Sequence, residues 1–448
     1  VLFDNPNPYR TPLPDILDLA WGDFHCQLTP VNDAALDKEV EWGFLAYVGA
    51  DVHDLPAFLF ENLMAMKGEG STDSLHVCAF FAGPLLTDTF FARLNRGTPL
   101  NDDIIIRFNK RHANDAKTLS HALQLAGFFA AKKRAVFISG HGRGWRGLLK
   151  DEDIGGEKYY RSGKLRLPGS RSECDAQLLA CQTKVQDRMN AKRIPVSPTV
   201  PPRRYDLMAL DACEMGALET VAILSAHADV VVVSQNLVPA QGYPYDAVLA
   251  QLQKDPQQSP LDFATYLVDE TKRFYAEAGS KRRITQIAIS TEKLPIFVEL
   301  LLGVVDAMGT MDTKETIAAV GTAIAKSRYE TNTGSVDLKS FLVYLAEEYD
   351  VPAVRDAIKA ALDGWDVMIV AAAVGESFGR NGLSIYAPPV EKFDPTYINV
   401  SRTLPWRLWK WTQFLATYYM HCVDTESPNY QLYEVIRNTV DGATLKVL

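Results

Sequence analysis

Apolar residues along the chain fall into two textures. In the first, short continuous apolar runs of strand length recur at residues 43–49 (GFLAYVG), 75–81 (LHVCAFF), 134–139 (RAVFIS), 207–210 (LMAL) and 228–234 (ADVVVVS). Unbroken runs of this kind, rather than alternation, fit strands covered on both faces. Between them lie stretches with apolar residues at helical spacing: residues 55–66, with Asp54 placed to cap them, and residues 115–131. Residues 104–108 form a further short extended piece. This alternation from residue 43 to about residue 253 predicts an α/β fold, a mostly parallel sheet with helices on both faces. From about residue 258 the pattern turns helical, over 260–278, 294–308, 313–326, 337–348 and 351–362. Two strand-like returns, 367–373 and 383–387, precede a tail carrying Trp406, Trp409 and Trp411, read as a helix docked on the core rather than a membrane or partner surface.

The pattern divides the chain into an irregular N-terminal arm (1–40), rich in Pro, Asn and Asp, a sheet domain (41–255) and a helix-rich C-terminal domain (256–448). A chain of 448 residues has ample length for such a core. No apolar run reaches the roughly 18 residues of a membrane helix. The net charge of −9 argues against a general nucleic-acid binder, but the charge is uneven. Residues 157–205 hold 11 Lys or Arg against 4 Asp or Glu, so 150–205 reads as a basic, loop-like insertion in an acidic protein. Six cysteines are too sparse to staple the chain and leave the redox compartment open. The sequence begins at Val1 without Met or a signal peptide. An export signal was therefore removed or never present; the expectation leans to an exported bacterial protein, with a cytoplasmic one open.

Candidate chemistry collects where two predicted strands end. One runs into Asp211-Ala212-Cys213, followed by a helical pattern from Glu214; the other runs into Gly140-His141-Gly142-Arg143-Gly144-Trp145. Open α/β sheets bind ligands at the carboxyl ends of their strands. If the two strands are parallel neighbours, Cys213 and His141 share one rim despite their separation in sequence. A helix N-terminus after Cys213 would favour the thiolate, the reactive species, although a lone cysteine also serves as a small buried hydrophobe. The glycines around His141 keep the imidazole open and leave backbone N–H groups for an oxyanion. Asp211 is either a helix cap or a carboxylate aimed into a pocket for a cationic side chain. Residues 142–147 also fit G-x-G-x-x-G, but no helical pattern opens at Gly147 and no strand-end acid follows, so a dinucleotide site is set aside. Cys174 and Cys181 share a helix face without metal-ligand spacing and read as packing residues.

SGHGRGW at 139–145 and LDACEMGALE at 210–219 resemble the His and Cys motifs of the clostripain-like (C11) cysteine peptidases, relatives of caspases, gingipains and legumain. AYVGADVHDL (46–55), SQNLVPAQGYPYDAVL (234–249), AISTEKLPIFVELL, SVDLKSFL and NGLSIYAPP extend the resemblance over about residues 43–390. It implies a caspase-like three-layer sandwich and an endopeptidase cutting protein or peptide substrates after Arg or Lys. It carries His141 and Cys213 over as the catalytic dyad and Asp211 as the acid of the S1 pocket. The backbone N–H groups of Gly142 and Cys213 map to the oxyanion hole, and Ser234 and Gln235 to the strand end beside the pocket. Such chemistry needs no metal; calcium activation occurs in the family, yet no Ca²⁺-loop motif is visible here. The sequence departs from the family pattern in three ways. The first acidic turn (Asp51-Val52-His53-Asp54) lacks the usual Asn, Glu214 replaces an apolar residue, and the arm and basic insertion are atypical. Control as a zymogen, by self-cleavage within 150–205 or by a regulatory partner, is therefore open. The rival from another class is a catalytically silent caspase-like binding module, against which the intact Cys, His and Asp speak.

Overall fold

The computed structural model describes residues 27–28, 38–52, 54–83, 89–108, 112–151, 158–160, 204–279, 284–309, 311, 313–329, 331, 333–374 and 380–439. In chain order its strands are β1 (Gln27–Leu28), β2 (Val40–Gly49), β3 (Leu75–Ala82), β4 (Thr89–Arg93), β5 (Ile104–Phe108), β6 (Ala131–Ser139), β7 (Leu148–Asp151), β8 (Lys158–Tyr160), β9 (Tyr205–Asp211), β10 (Ala228–Ser234), β11 (Thr285–Ser290), β12 (Ser335–Asp337), β13 (Ile369–Val374) and β14 (Ser384–Tyr386). Ten of them form one sheet in the order β1-β5-β4-β3-β2-β6-β9-β10-β11-β13. Its centre, β3-β2-β6-β9-β10, is parallel, and both flanks are antiparallel. The architecture is the expected α/β sandwich, a mixed sheet with a parallel centre between helix layers.

The continuous apolar runs are explained by two cores, one on each face. Leu45 and Tyr47 of β2 pack into one, while Phe44, Ala46 and Val48 pack into the other. Met208 and Leu210 of β9 likewise oppose Leu207 and Ala209. The second face is covered by helices Pro56–Glu69, Tyr245–Lys254 and Pro260–Glu277. The first is covered by Ala116–Gly127, Leu294–Met308, Lys314–Lys326, Leu338–Glu348 and Pro352–Met368, among others. A period-2 strand buried on both sides has no polar face to show, which is why its sequence reads as a solid apolar block.

The expected boundary between residues 255 and 256 falls inside this body. Helix Pro260–Glu277 packs on the same face as helix Pro56–Glu69, and β11 and β13 continue the sheet beyond β10. The C-terminal half therefore completes the sheet instead of forming a separate helical domain. The tryptophan tail docks as expected: Trp411 is buried in helix Trp409–Met420, and its Nε1 donates to the Tyr386 carbonyl at 2.8 Å. Most of the arm and most of the basic insertion, with Cys174 and Cys181, lie outside the described residues. The described start of the insertion is a hairpin of β7 and β8, separate from the main sheet.

Candidate active site

β6 and β9 are hydrogen-bonded parallel neighbours, with Ser139 opposite Asp211. One step further, the Gly140 N–H donates to the Asp211 carbonyl at 3.3 Å. The chain thus leaves both strands at one level of the sheet's carboxyl edge, and His141 and Cys213 each follow two residues later. Gly142 makes the approach close. A Cβ there would lie 2.3 Å from the Cys213 carbonyl oxygen, so only glycine lets the two turns meet. The Leu149 N–H donates to the His141 carbonyl (2.7 Å) and the Arg143 N–H to the Gly147 carbonyl (2.9 Å), holding the loop on either side of Gly142. Among the described residues, the N–H groups of Gly142 and Cys213 donate to no protein acceptor, as an oxyanion site requires.

The segment after Cys213 differs from expectation. No helix begins at Glu214; the helix spans Leu218–Leu224, with Ala217 at its N-cap. Glu214 instead has a φ of 58°, left-handed for a non-glycine residue, and makes a sharp turn. Its N–H donates to the Asn236 carbonyl (3.0 Å), and its Oε1 accepts from Thr331 Oγ1 (2.8 Å), which helps to hold it there. Residues 215–217 then run extended between β10 and β14, with the Gly216 N–H bonded to the Ser234 carbonyl at 2.7 Å. The field of a helix terminus fades within its first turn, so it gives the thiol little help. Burial pushes the Cys213 thiol up; the Val238 N–H, 3.3 Å from Sγ, opposes this, and the carboxylates of Glu214, Asp211 and Asp54 reinforce it. The resting group is a thiol that needs a base.

His141 Nε2 lies 2.8 Å from Oδ1 of Asp54. Asp54 therefore does not cap the helix after β2, whose N-cap position is Leu55 without a side-chain bond and whose first residue is Pro56. With the Asp54 carboxylate as acceptor, this bond calls for the tautomer with its ring proton on Nε2, in which Nδ1 is the acceptor nitrogen. Sequence reasoning missed this residue. The available signal was strand order: β2 pairs with β6, Val48 opposite Ser139, so the turn after β2 must sit beside His141.

Asp211 is not a helix cap either. It is buried, at 5% exposure, and its Oδ2 accepts from the Tyr245 hydroxyl (2.9 Å), the Tyr243 N–H (3.3 Å) and the Ser139 hydroxyl (3.3 Å). Its Oδ1 is buried and, among the described residues, without a partner. Burial outweighs these hydrogen bonds and raises the carboxyl to about 6. The loop of residues 236–242 connects the two groups, with the Val238 N–H on the thiol and Gly242 lying on the Asp211 carboxylate. Ser234 and Gln235 lie at the end of β10 as mapped, but both side chains are turned inward. Ser234 Oγ lies 3.1 Å from Thr285 Oγ1; Gln235 Nε2 donates to Asp337 Oδ2 (2.9 Å), and its Oε1 accepts from the Gly382 N–H (2.8 Å). Among the described residues no cluster of three His, Cys, Asp or Glu could hold a metal ion, and no helix is long and apolar enough to cross a membrane.

A clostripain family model (Peptidase_C11) matches residues 179–341, a stretch that includes Cys213. No curated protein sequence matches the chain. Among solved structures, a secreted C11 cysteine protease from Bacteroides thetaiotaomicron, in complex with an irreversible peptide inhibitor, is similar over 82% of this chain and 98% of its own, with 15% identity and a TM-score of 0.56. An inactive zymogen C11 protease from Parabacteroides distasonis is similar over 83% of this chain and 98% of its own, with 14% identity and a TM-score of 0.54. At such identities the two structures speak for the shared fold.

Two outcomes are expected from this geometry. The fold favours the protonated form of Asp211, so ionisation costs stability above about pH 6. That cost fades as the pH falls and is gone below about 4. Asp211→Asn is expected to stabilise the protein by up to about 3 kcal/mol at pH 8, with no gain at pH 4, in urea unfolding at the two pH values. A variant less stable than the parent at pH 8 would contradict this. Losing the orienting acceptor, Asp54→Ala is expected to lower kcat roughly 10- to 100-fold with little change in KM, and Asp54→Asn, whose carbonyl still accepts, to recover part of it. Steady-state kinetics of the two variants on a peptide substrate decide the point.

Proposed function

We propose, from the premise that the chain belongs to the clostripain (C11) family of cysteine peptidases, that it cleaves peptide bonds after Lys or Arg through Cys213 and His141. The observation that carries this reading is the pair formed by Cys213 and Asp211: a thiol at a strand end and, two residues earlier, a buried carboxylate with one oxygen unpartnered. An isolated buried charge is costly, so it is retained where a cation completes it.

In the proposed reaction His141 Nδ1 takes the proton of the Cys213 thiol, and the thiolate attacks the scissile carbonyl carbon. The carbonyl electron pair moves onto oxygen, between the N–H groups of Gly142 and Cys213. Collapse breaks the C–N bond, His141 protonates the leaving amine, and a thioester remains. His141 then takes a proton from water, whose oxygen attacks the thioester and releases the acid and the thiol. The residues in these steps need no metal, and calcium would act outside this reaction.

Control by self-cleavage belongs to the same proposal. β6 and β9 are held together by their ladder, while the chain between them, residues 140–204, contains a basic segment of the kind the enzyme would cut. A cut there would leave His141 and Cys213 side by side.

Cys213→Ala and His141→Ala are each expected to abolish peptide hydrolysis with the fold intact by circular dichroism. A folded Cys213→Ala protein with full turnover excludes the assignment. Asp211→Ala is expected to lower kcat/KM for Lys and Arg substrates by roughly 30- to several-thousand-fold, the cost of leaving the substrate cation unpaired. For self-cleavage, the parent and Cys213→Ala proteins are incubated side by side and new termini are mapped. Cuts within residues 150–205 confined to the parent and followed by rising activity are expected. Full activity from a chain that stays whole rules self-cleavage out, and activity gained by a whole chain only with an added protein assigns control to a partner.

A further inference from the structure

We infer that the site at Asp211 takes lysine in preference to arginine at the residue preceding the cut. This rests on the peptidase reading above and follows from how the two oxygens of Asp211 are used.

Oδ2 is closed. It accepts from the Tyr245 hydroxyl at 2.9 Å, the Tyr243 N–H at 3.3 Å and the Ser139 hydroxyl at 3.3 Å. Gly242 covers it further, since a Cβ on that glycine would lie 2.3 Å from Oδ2. The donors are anchored. Ser139 ends a central strand, Tyr245 is a buried first-turn helix residue, and the Gly242 carbonyl accepts from the Tyr275 hydroxyl at 2.6 Å. A carboxylate oxygen with three donors has no lone pair left to offer. Oδ1, by contrast, is buried and has no partner among the described residues.

A guanidinium realises its advantage over an ammonium by giving two parallel N–H bonds to two carboxylate oxygens. With Oδ2 occupied, arginine is reduced to one bond and brings a second donor arm into a buried site without an acceptor. An ammonium is a compact charge that needs only one oxygen, and its three donors rotate to suit. An unsatisfied donor in a buried site lowers affinity by roughly 5- to 100-fold, which sets the expected selectivity for lysine.

The test compares two fluorogenic peptides that differ only in Lys or Arg before the scissile bond, on the full chain and on Tyr245→Phe and Ser139→Ala. The ratio of kcat/KM for the two peptides within one protein cancels losses common to both, including a reduced active fraction. The parent is expected to favour Lys at least about fivefold, and Tyr245→Phe, which frees Oδ2, to lower that ratio severalfold; Ser139→Ala lowers it less and serves if Tyr245→Phe does not fold. A parent ratio of one or below overturns the inference, as does a ratio unchanged in both variants. Binding of the same two peptides to Cys213→Ala, by fluorescence anisotropy, reads selectivity without turnover. Tighter binding of the Lys peptide there supports the inference even where the parent fails to cleave and the peptidase reading falls. Equal or tighter binding of the Arg peptide overturns the inference whatever the parent does.

Discussion

The site depends on one ladder, the parallel pairing of β6 with β9. Its register, Ser139 opposite Asp211, decides where the two turns leave the sheet and so whether Gly142 can lie against the Cys213 backbone. A slip of one residue would exchange the faces of every side chain on a strand, placing Met208 and Leu210 where Leu207 and Ala209 belong. Both strands are interior to the sheet, with β2 beside β6 and β10 beside β9, so each is held from two sides. The apolar blocks that announce these strands in the sequence are also what fix the register, because two cores read it at once.

Three carboxylates surround one thiol, and the structure uses them differently. Asp54 is largely exposed and bonds the imidazole. Glu214 is buried and turned toward Thr331. Asp211 is buried with one oxygen open. All three oppose thiolate formation at rest. The same negative field would attract any cationic group brought to the rim, so that attraction and the restraint of the thiol have a common source.

The strands were legible because period-2 elements buried on both faces leave solid apolar runs, and 228–234 appears in the structure with the expected bounds. The His and Cys turns were legible because strand ends and glycines mark them. Other features were not, for physical reasons. Met215, Leu218, Val221 and Ala222 keep helical spacing although the helix starts only at Leu218, since an extended buried segment also wants apolar residues. β11 (TQIAIS) is short, has polar residues at both ends and sits in helical surroundings, so its place beside β10 comes from tertiary pairing alone. Asp54 before Pro56 looks like a cap, because a cap and a histidine partner require the same carboxylate at the same spot. The inward turn of Gln235 depends on Asp337 and Gly382, residues no local pattern connects to it.

The extended piece at Gly216 carries a consequence for synthesis. Its carbonyl accepts from both the N–H and the hydroxyl of Ser384, 168 residues downstream, and Gln235 is fastened to Asp337 and Gly382 in the same region. A chain still on the ribosome and ending before this point has made Cys213 but lacks the bonds that shape the turn beside it. The turn at Cys213 is therefore set late, when nearly the whole molecule is available to fold around it.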